Sequence, residues 1–336
     1  MMSIRDKNVL VTGGAGFIGS HLVDRLAVER PNRLVVVDNF SIGKRRNLVN
    51  AKSAFPRLRV YSHNAGEMSF MRELMKKERI DIVFNLAVLP LPMSLTEPRV
   101  VHENNVRMTQ VVCELLRLGS YESLIHFSSS EVYGTAETVP MSEEHPLRPT
   151  TPYGASKVAC DHLVQSYVLT FGIEARILRP FNNYGPRQNE GTYAGVIPLT
   201  IKRILSGQPP VIYGDGFQTR DYTYVTDTAE AALLVSTSPA ASRGVFNVAS
   251  GVEVQIKQLV TTIAEITGWR GEIQYGPPRV ADVRRHCGDS SRLRTLLGFS
   301  PKVDLVRGLR MTIDWYRKEL SRPSRGEGKN TSRRSH

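Results

Sequence analysis

The chain has 336 residues, 41% of them hydrophobic, and 44 Lys and Arg against 32 Asp and Glu give a formal net charge of +12. That is enough apolar content for one large core or two smaller ones. No apolar run reaches the ~18 residues of a membrane span, and Met1 to Lys7 is too short and polar for a signal peptide. Three scattered cysteines, Cys113, Cys160 and Cys287, make neither a disulfide framework nor a metal site, so a reducing, cytoplasmic setting is expected. Arg317–His336 holds seven Lys and Arg against two Glu. With no apolar periodicity after Leu320, residues 319–336 read as a disordered basic tail. No ladder of aromatic and basic side chains is present for bases to stack on, which argues against nucleic-acid binding. The remaining positive surplus suits small polyanionic ligands.

In chain order, the apolar strand Val9–Thr12 runs into Gly13-Gly-Ala-Gly-Phe-Ile-Gly19 and then into a helical pattern over 18–29. Gly13, Gly16 and Gly19 have the spacing G-x-x-G-x-x-G. The first allows a tight turn, the second a close backbone approach to a pyrophosphate, and the third close packing of helix on strand. The helix start offers free N–H groups and a positive dipole end to phosphate. The next strand, Leu34–Asp38, ends in a carboxylate 25 residues after Gly13, where a ribose 2′-hydroxyl is expected. A carboxylate repels a 2′-phosphate, so Asp38 favours NAD over NADP. Lys44, Arg45 and Arg46 follow closely and read as a solvated segment.

Further strands are expected at Leu58–Ser62, Ile82–Leu86, Leu124–Ser128 and Ala175–Arg179, separated by helices over 67–78, 99–118 and 153–171. This alternation predicts an α/β chain with a Rossmann-type, doubly wound parallel sheet over 1–180. Beyond Arg179, loops rich in Gly and Pro predict a smaller, interleaved C-terminal substrate lobe over 181–318 that caps the carboxyl ends of the strands. The chain is expected to return to the sheet within 220–250, near Val245–Val248.

Tyr153-Gly-Ala-Ser-Lys157 opens a predicted helix, and its i, i+4 spacing puts phenol and ammonium on one face. An ammonium beside a phenol stabilises the phenolate and lowers the tyrosine pKa towards working pH. Such a tyrosine takes a hydroxyl proton while hydride leaves the same carbon for a nicotinamide. Ser128-Ser129-Ser130 ends the preceding strand, where a hydroxyl meets the reacting oxygen.

Together these motifs resemble the extended short-chain dehydrogenase/reductase family of NAD-dependent nucleotide-sugar epimerases and dehydratases, over roughly residues 7–318. The resemblance implies cofactor contacts from Gly13, Gly16, Phe17, Ile18, Gly19, Asp38, Asn39, Asn64, Ala65, Leu86, Ala87, Asn105 and Ser128, with Tyr153 and Lys157. It implies that Asn182, Arg187, Val196, Pro210, Val211, Tyr213, Arg220 and Arg279 hold a nucleoside-diphosphate sugar, the two last arginines at its diphosphate. It also implies a homodimer paired through helices 99–118 and 153–171, with no metal. Two departures stand out. Ser62-His-Asn-Ala65 lacks the Asp that touches adenine in relatives, and Val88-Leu-Pro-Leu-Pro-Met93 is unusually apolar and proline-rich beside the expected sugar pocket.

Glu131 bears on the reaction. Sugar 4-epimerases of this family generally place a small residue there, whereas dehydratases and decarboxylases keep a glutamate. Once C4 is a ketone, a carboxylate in reach can take the acidified C5 proton. The resemblance therefore favours 4,6-dehydration, with Tyr153 as base, Lys157 as its tuner, Ser129 orienting the hydroxyl, Glu131 at C5, and Ser129 or Ser130 at the leaving group. Ser130 replaces the acid of thymidine-linked glucose dehydratases. Epimerisation at C4 stands second. Decarboxylation stands third, because His286 falls at or beside the place of the arginine that meets the substrate carboxylate. A non-catalytic NAD sensor would not need Tyr153, Lys157 and the serines.

Overall fold

The computed structural model describes residues 3–189, 195–279 and 282–321. Its first half alternates β1 (Asn8–Thr12), α1 (Phe17–Glu29), β2 (Arg33–Val37), α2 (Val49–Ala54), β3 (Arg59–Tyr61), α3 (Met68–Glu78) and β4 (Ile82–Asn85). It continues through α4 (Leu91–Ser94), α5 (Pro98–Arg117), β5 (Ser123–Phe127), α6 (Pro152–Phe171) and β6 (Ala175–Pro180). The strands are short apolar runs rich in β-branched residues, as expected where both sheet faces are covered. Along β1, Val9 and Val11 enter a core with Leu22, Val23 and Leu26 of α1, while Leu10 enters another with Met71 of α3 and Val112 of α5.

After β6 come β7 (Asn182–Tyr184), α7 (Val196–Leu205), β8 (Val211–Tyr213), β9 (Thr219–Tyr224), α8 (Val225–Thr237) and β10 (Val245–Val248). Then follow β11 (Glu253–Gln255), α9 (Ile256–Thr267), β12 (Gln274–Gly276), α10 (Ser291–Leu297) and α11 (Leu305–Leu320). The parallel sheet has the order β10-β6-β5-β4-β1-β2-β3. Strand order reverses between β1 and β4, which opens a crevice at their carboxyl ends. The chain returns to this sheet at β10, where Val245–Val248 pair with Ile177–Pro180, and α8 packs Ala229, Ala232 and Val235 into the α1 side of the core. The remaining strands form the small sheets β11-β9-β7 and β12-β8. They share a second core with α7, α9 and α11 through Ile197, Ile201, Leu259, Ile263, Leu309 and Ile313.

Residues 319 and 320, expected to belong to the disordered tail, are helical. Helix α11 continues to Leu320, and Glu319 within it pairs with Arg46 at 3.2 Å. The rest of that segment, 322–336, lies outside the described residues. No helix of the described residues is long and apolar enough to cross a membrane. All three cysteines are buried and free, and the described residues hold no cluster of metal-ligating side chains.

Candidate active site

The glycine turn sits at the reversal of strand order. Gly13 has φ of +66°, and a Cβ there would lie 2.8 Å from the Ala87 nitrogen. A Cβ on Gly19 would lie 2.2 Å from the Gly13 carbonyl oxygen, so this helix residue lets α1 close onto the turn itself. No side chain caps α1 and no acidic residue stands in its first turn, which leaves its N–H groups and positive dipole end available. The Asp38 carboxylate at the end of β2 accepts from Ala15 N at 2.9 Å and Phe40 N at 2.8 Å. Burial raises its pKa against those two bonds.

These groups line one crevice of about 340 Å³ with Phe17, Ile18, Asn39, Asn64, Ala65, Leu86, Ala87, Ser128, Tyr153 and Lys157. A glycine cradle, an uncapped helix start and a terminal carboxylate fit the pyrophosphate and ribose of a dinucleotide. Among the described residues, Lys44, Arg45 and Arg46 do not line it. Arg45 stacks 4.1 Å from the Phe40 ring centre and Arg46 faces Glu319, so neither stands ready for a 2′-phosphate. Asn105 departs from expectation. It is buried, receives Leu89 N at 2.8 Å, and donates to Ser156 Oγ at 3.0 Å. It therefore supports the crevice wall from behind instead of lining it. Gly43 and His63 line the crevice without having been read as site residues.

The reacting groups gather where β5 meets the start of α6. Thr151 caps α6 by accepting Gly154 N at 3.0 Å, and Pro152 occupies its first turn. That places Tyr153 and Lys157 one turn apart, with Lys157 Nζ donating to Phe127 O at 2.5 Å. Ser129 stands beside the Tyr153 phenol at the end of β5, its Oγ accepting Glu131 N at 3.2 Å. The expectation of an acidified phenol is not met by the protein alone. Burial pushes the Tyr153 pKa up, the neighbouring Ser129 hydroxyl pulls it back, and the carboxylate of Glu131 raises it again. Burial also lowers the Lys157 pKa, opposed by Cys160 and Asp161. Behind α6, Asp161 Oδ2 accepts from Arg179 Nε at 2.8 Å, both side chains almost wholly buried. The same guanidinium donates to Tyr133 Oη and the Glu143 carbonyl.

A second cavity of about 460 Å³ adjoins the crevice and shares Phe17, Ile18, Val88, Pro90, Ser128, Tyr153, Pro180, Gln188 and Gly195 with it. Ser129, Ser130 and Glu131 line its inner end with Tyr153. The Glu131 carboxyl has its pKa raised by burial, with Arg220 opposing and Asp282 adding to the rise. Asn182, Val196, Val211, Tyr213, Arg220 and Arg279 line the cavity too, and the Arg279 guanidinium stacks 4.5 Å from the Tyr213 ring centre. Arg220 is held by the Thr219 and Val283 carbonyls and by Asp282. Two expected substrate residues lie elsewhere. Arg187 pairs with the half-buried Asp24 of α1 at 2.7 Å and does not line the cavity. Pro210 is buried and its carbonyl accepts Gln274 N, which anchors β12.

His286 is fully buried with Nε2 3.1 Å from the Ser130 carbonyl, and burial first and Arg220 second lower its pKa to about 4. A neutral imidazole so placed offers no cation to a substrate carboxylate. Phe181 and Asn183 line the cavity too, and so do Gln188 and Asp282, which no signal in the sequence singled out.

The family model described as GDP-mannose 4,6 dehydratase matches residues 10–312. The UDP-glucose 4-epimerase of Mycolicibacterium smegmatis is 35% identical over 92% of this chain and 98% of its own. The dTDP-glucose 4,6-dehydratase of Streptomyces griseus is 33% identical over 94% of this chain and 95% of its own. Among solved structures, DesIV, a dTDP-glucose 4,6-dehydratase of Streptomyces venezuelae with NAD and TYD bound, superposes with a TM-score of 0.86 at 29% identity, covering 93% of this chain and 97% of its own.

Proposed function

The chain belongs to the NAD-dependent nucleotide-sugar epimerase/dehydratase family, and on that premise we propose that it is a nucleoside-diphosphate-sugar 4,6-dehydratase. The observation that carries the reading is Glu131, a carboxyl lining the same cavity as Tyr153 with its pKa raised by burial. A carboxyl so tuned is a stronger base when ionised and holds the proton it takes.

Gly13, Gly16, Gly19 and Asp38 would hold NAD in the glycine crevice, where it would supply a hydride acceptor for C4 and a hydride donor for C6, and a positive charge that would favour the Tyr153 phenolate. Tyr153 takes the proton of the C4 hydroxyl. Lys157 keeps an ammonium beside the crevice, and Ser129, lining the cavity next to Tyr153, orients the hydroxyl. Glu131 takes the C5 proton, the proton gained by Tyr153 passes through Ser129 or Ser130 to the departing C6 oxygen, which leaves as water, and Glu131 gives its proton back to C5 as hydride returns to C6. Arg220 and Arg279 hold the diphosphate as bidentate donors. Asn182 and the apolar groups Val196 and Val211 complete the substrate contacts, with Tyr213 stacked beneath Arg279.

Epimerisation at C4 is the second reading, favoured by the epimerase relative at 35% identity. Product mass separates the two: loss of water from a nucleotide-sugar panel supports dehydration, and unchanged mass with inverted C4 overturns it. Glu131→Gln should stop loss of water while partial C4 oxidation, read as nicotinamide absorbance, persists. A Glu131→Gln enzyme that dehydrates at an unchanged rate removes the assigned base. Pairing of two copies through α5 and α6, which pack on each other and leave Leu118, Leu169 and Phe171 exposed near their ends, is read by light scattering as twice the chain mass.

A further inference from the structure

The walls of the substrate cavity differ in chemistry. In the sheet, β5 lies between β4 and β6, so the groups after β5 (Ser129 to Glu131) are flanked by the loop after β4 and by the chain leaving β6. On the β4 side stand Val88, Pro90, Leu91 and Pro92. Their side chains carry no hydrogen-bonding group, and two of the four are prolines without an N–H. Four carbonyls of this loop are already engaged: Leu89 O accepts Asn105 Nδ2, Pro90 O accepts Met93 N, Leu91 O accepts Ser94 Oγ, and Pro92 O accepts Leu95 N. On the β6 side, Asn182 and Gln188 bring carboxamides, and Gln188 Oε1 is buried with no hydrogen-bond partner among the described residues.

Val88 and Pro90 also line the cofactor crevice, so the apolar wall stands at the sugar end of the cavity and not at the nucleotide end. A bare hydroxyl turned towards this wall loses its water and finds no side chain to replace it, whereas a methyl group there is buried favourably. The carbon that could carry such a methyl is limited by the reaction. C1 bears the diphosphate. C4, C5 and C6 must keep their hydroxyl, hydrogen and hydroxyl for Tyr153, Glu131 and the serines. A bulky group on C3 would stand directly beside the reacting C4, which leaves C2.

We propose that this cavity takes a nucleoside-diphosphate 2-acylamino hexose, its acyl methyl against Val88, Pro90, Leu91 and Pro92 and its ring hydroxyls towards Asn182 and Gln188. The choice of C2 rests on the dehydratase reading; the apolar substituent does not.

The test is calorimetric binding to NAD-loaded protein of sugar pairs that differ only at C2: UDP-glucose with UDP-N-acetylglucosamine, and the matching dTDP pair. The acetamido sugar should bind about 10- to 100-fold more tightly within whichever pair is bound. Leu91→Asn, and separately the near-isosteric Val88→Thr, add a polar partner to the wall and should shrink that ratio several-fold by strengthening the hydroxyl sugar. Equal binding within a pair, a preference for the hydroxyl sugar, a ratio unmoved in both variants, or no binding of any of the four sugars overturns the proposal. Product mass decides dehydration separately, so an epimerase that still prefers the acetamido sugar would refute the reaction and leave the substituent standing.

Discussion

Replacing Gly19 by Ala isolates the cofactor turn. The new Cβ would stand 2.2 Å from Gly13 O and 3.0 Å from both Gly13 C and Gly14 Cα, where ordinary contacts begin at 3.4 Å. These are backbone atoms with no rotamer to relieve them, so the turn must move by about 1 Å, at an overpacking cost of about 1–3 kcal/mol. That movement also misaims the N–H groups at the start of α1. One hydrogen bond to a charged group is worth about 1.5–3 kcal/mol, so NAD affinity should fall about 10- to 100-fold. Two comparison variants separate the effects. A Cβ on Gly16 would meet nothing nearer than Gly13 O at 3.1 Å, so Gly16→Ala should weaken NAD through its own close approach with little loss of stability. Gly119, with φ of +71° and nothing within 4 Å, should on Gly119→Ala lose about 1 kcal/mol of stability with NAD binding intact. The assay is NAD calorimetry beside urea unfolding of each protein. Folded Gly19→Ala protein with unchanged NAD affinity would refute the reasoning.

Tyr153→Phe should cut turnover about 10²- to 10⁴-fold while NAD calorimetry stays within error, and a variant at wild-type rate would remove the assigned base. Asp161→Ala leaves the buried Arg179 guanidinium unpaired and should cost about 3–5 kcal/mol in urea unfolding, while the double change Asp161→Leu with Arg179→Met should recover much of that. Additive losses in the double variant would refute an ion pair. His286, with its folded pKa lowered to about 4 from an ordinary 6.5, stays neutral while the unfolded chain takes up a proton. The unfolded state thus binds more protons between those values, so this residue's contribution to stability falls as pH drops from 6.5 to 4 and is level below. The stability difference between wild type and His286→Gln should therefore narrow by up to about 3 kcal/mol over that window, and a constant difference would show a protonated imidazole in the fold.

The features legible in the chain were those that short-range geometry dictates. An apolar run ending in glycines, a carboxylate at the end of the next strand, and a tyrosine and lysine four residues apart state their own spatial relations. The structure accordingly gathers Gly13, Asp38, Ser128, Tyr153 and Lys157 around one crevice. Where a polar side chain points is instead settled by partners distant in sequence. Arg187 turns to Asp24, 163 residues away, while Arg220 reaches the cavity it was read into. Asn105 and Pro210 serve backbone groups of neighbouring segments for the same reason. The Tyr153 pKa likewise depends on burial, which the i, i+4 spacing cannot express. Sequence by itself determined the layered α/β frame and the chemical groups at the strand ends, because both follow from periodicity and steric rules within a few residues. Tertiary packing alone decided which arginines face the cavity and that Gln188 stands between the two cavities, because each depends on contacts between segments that no local pattern records.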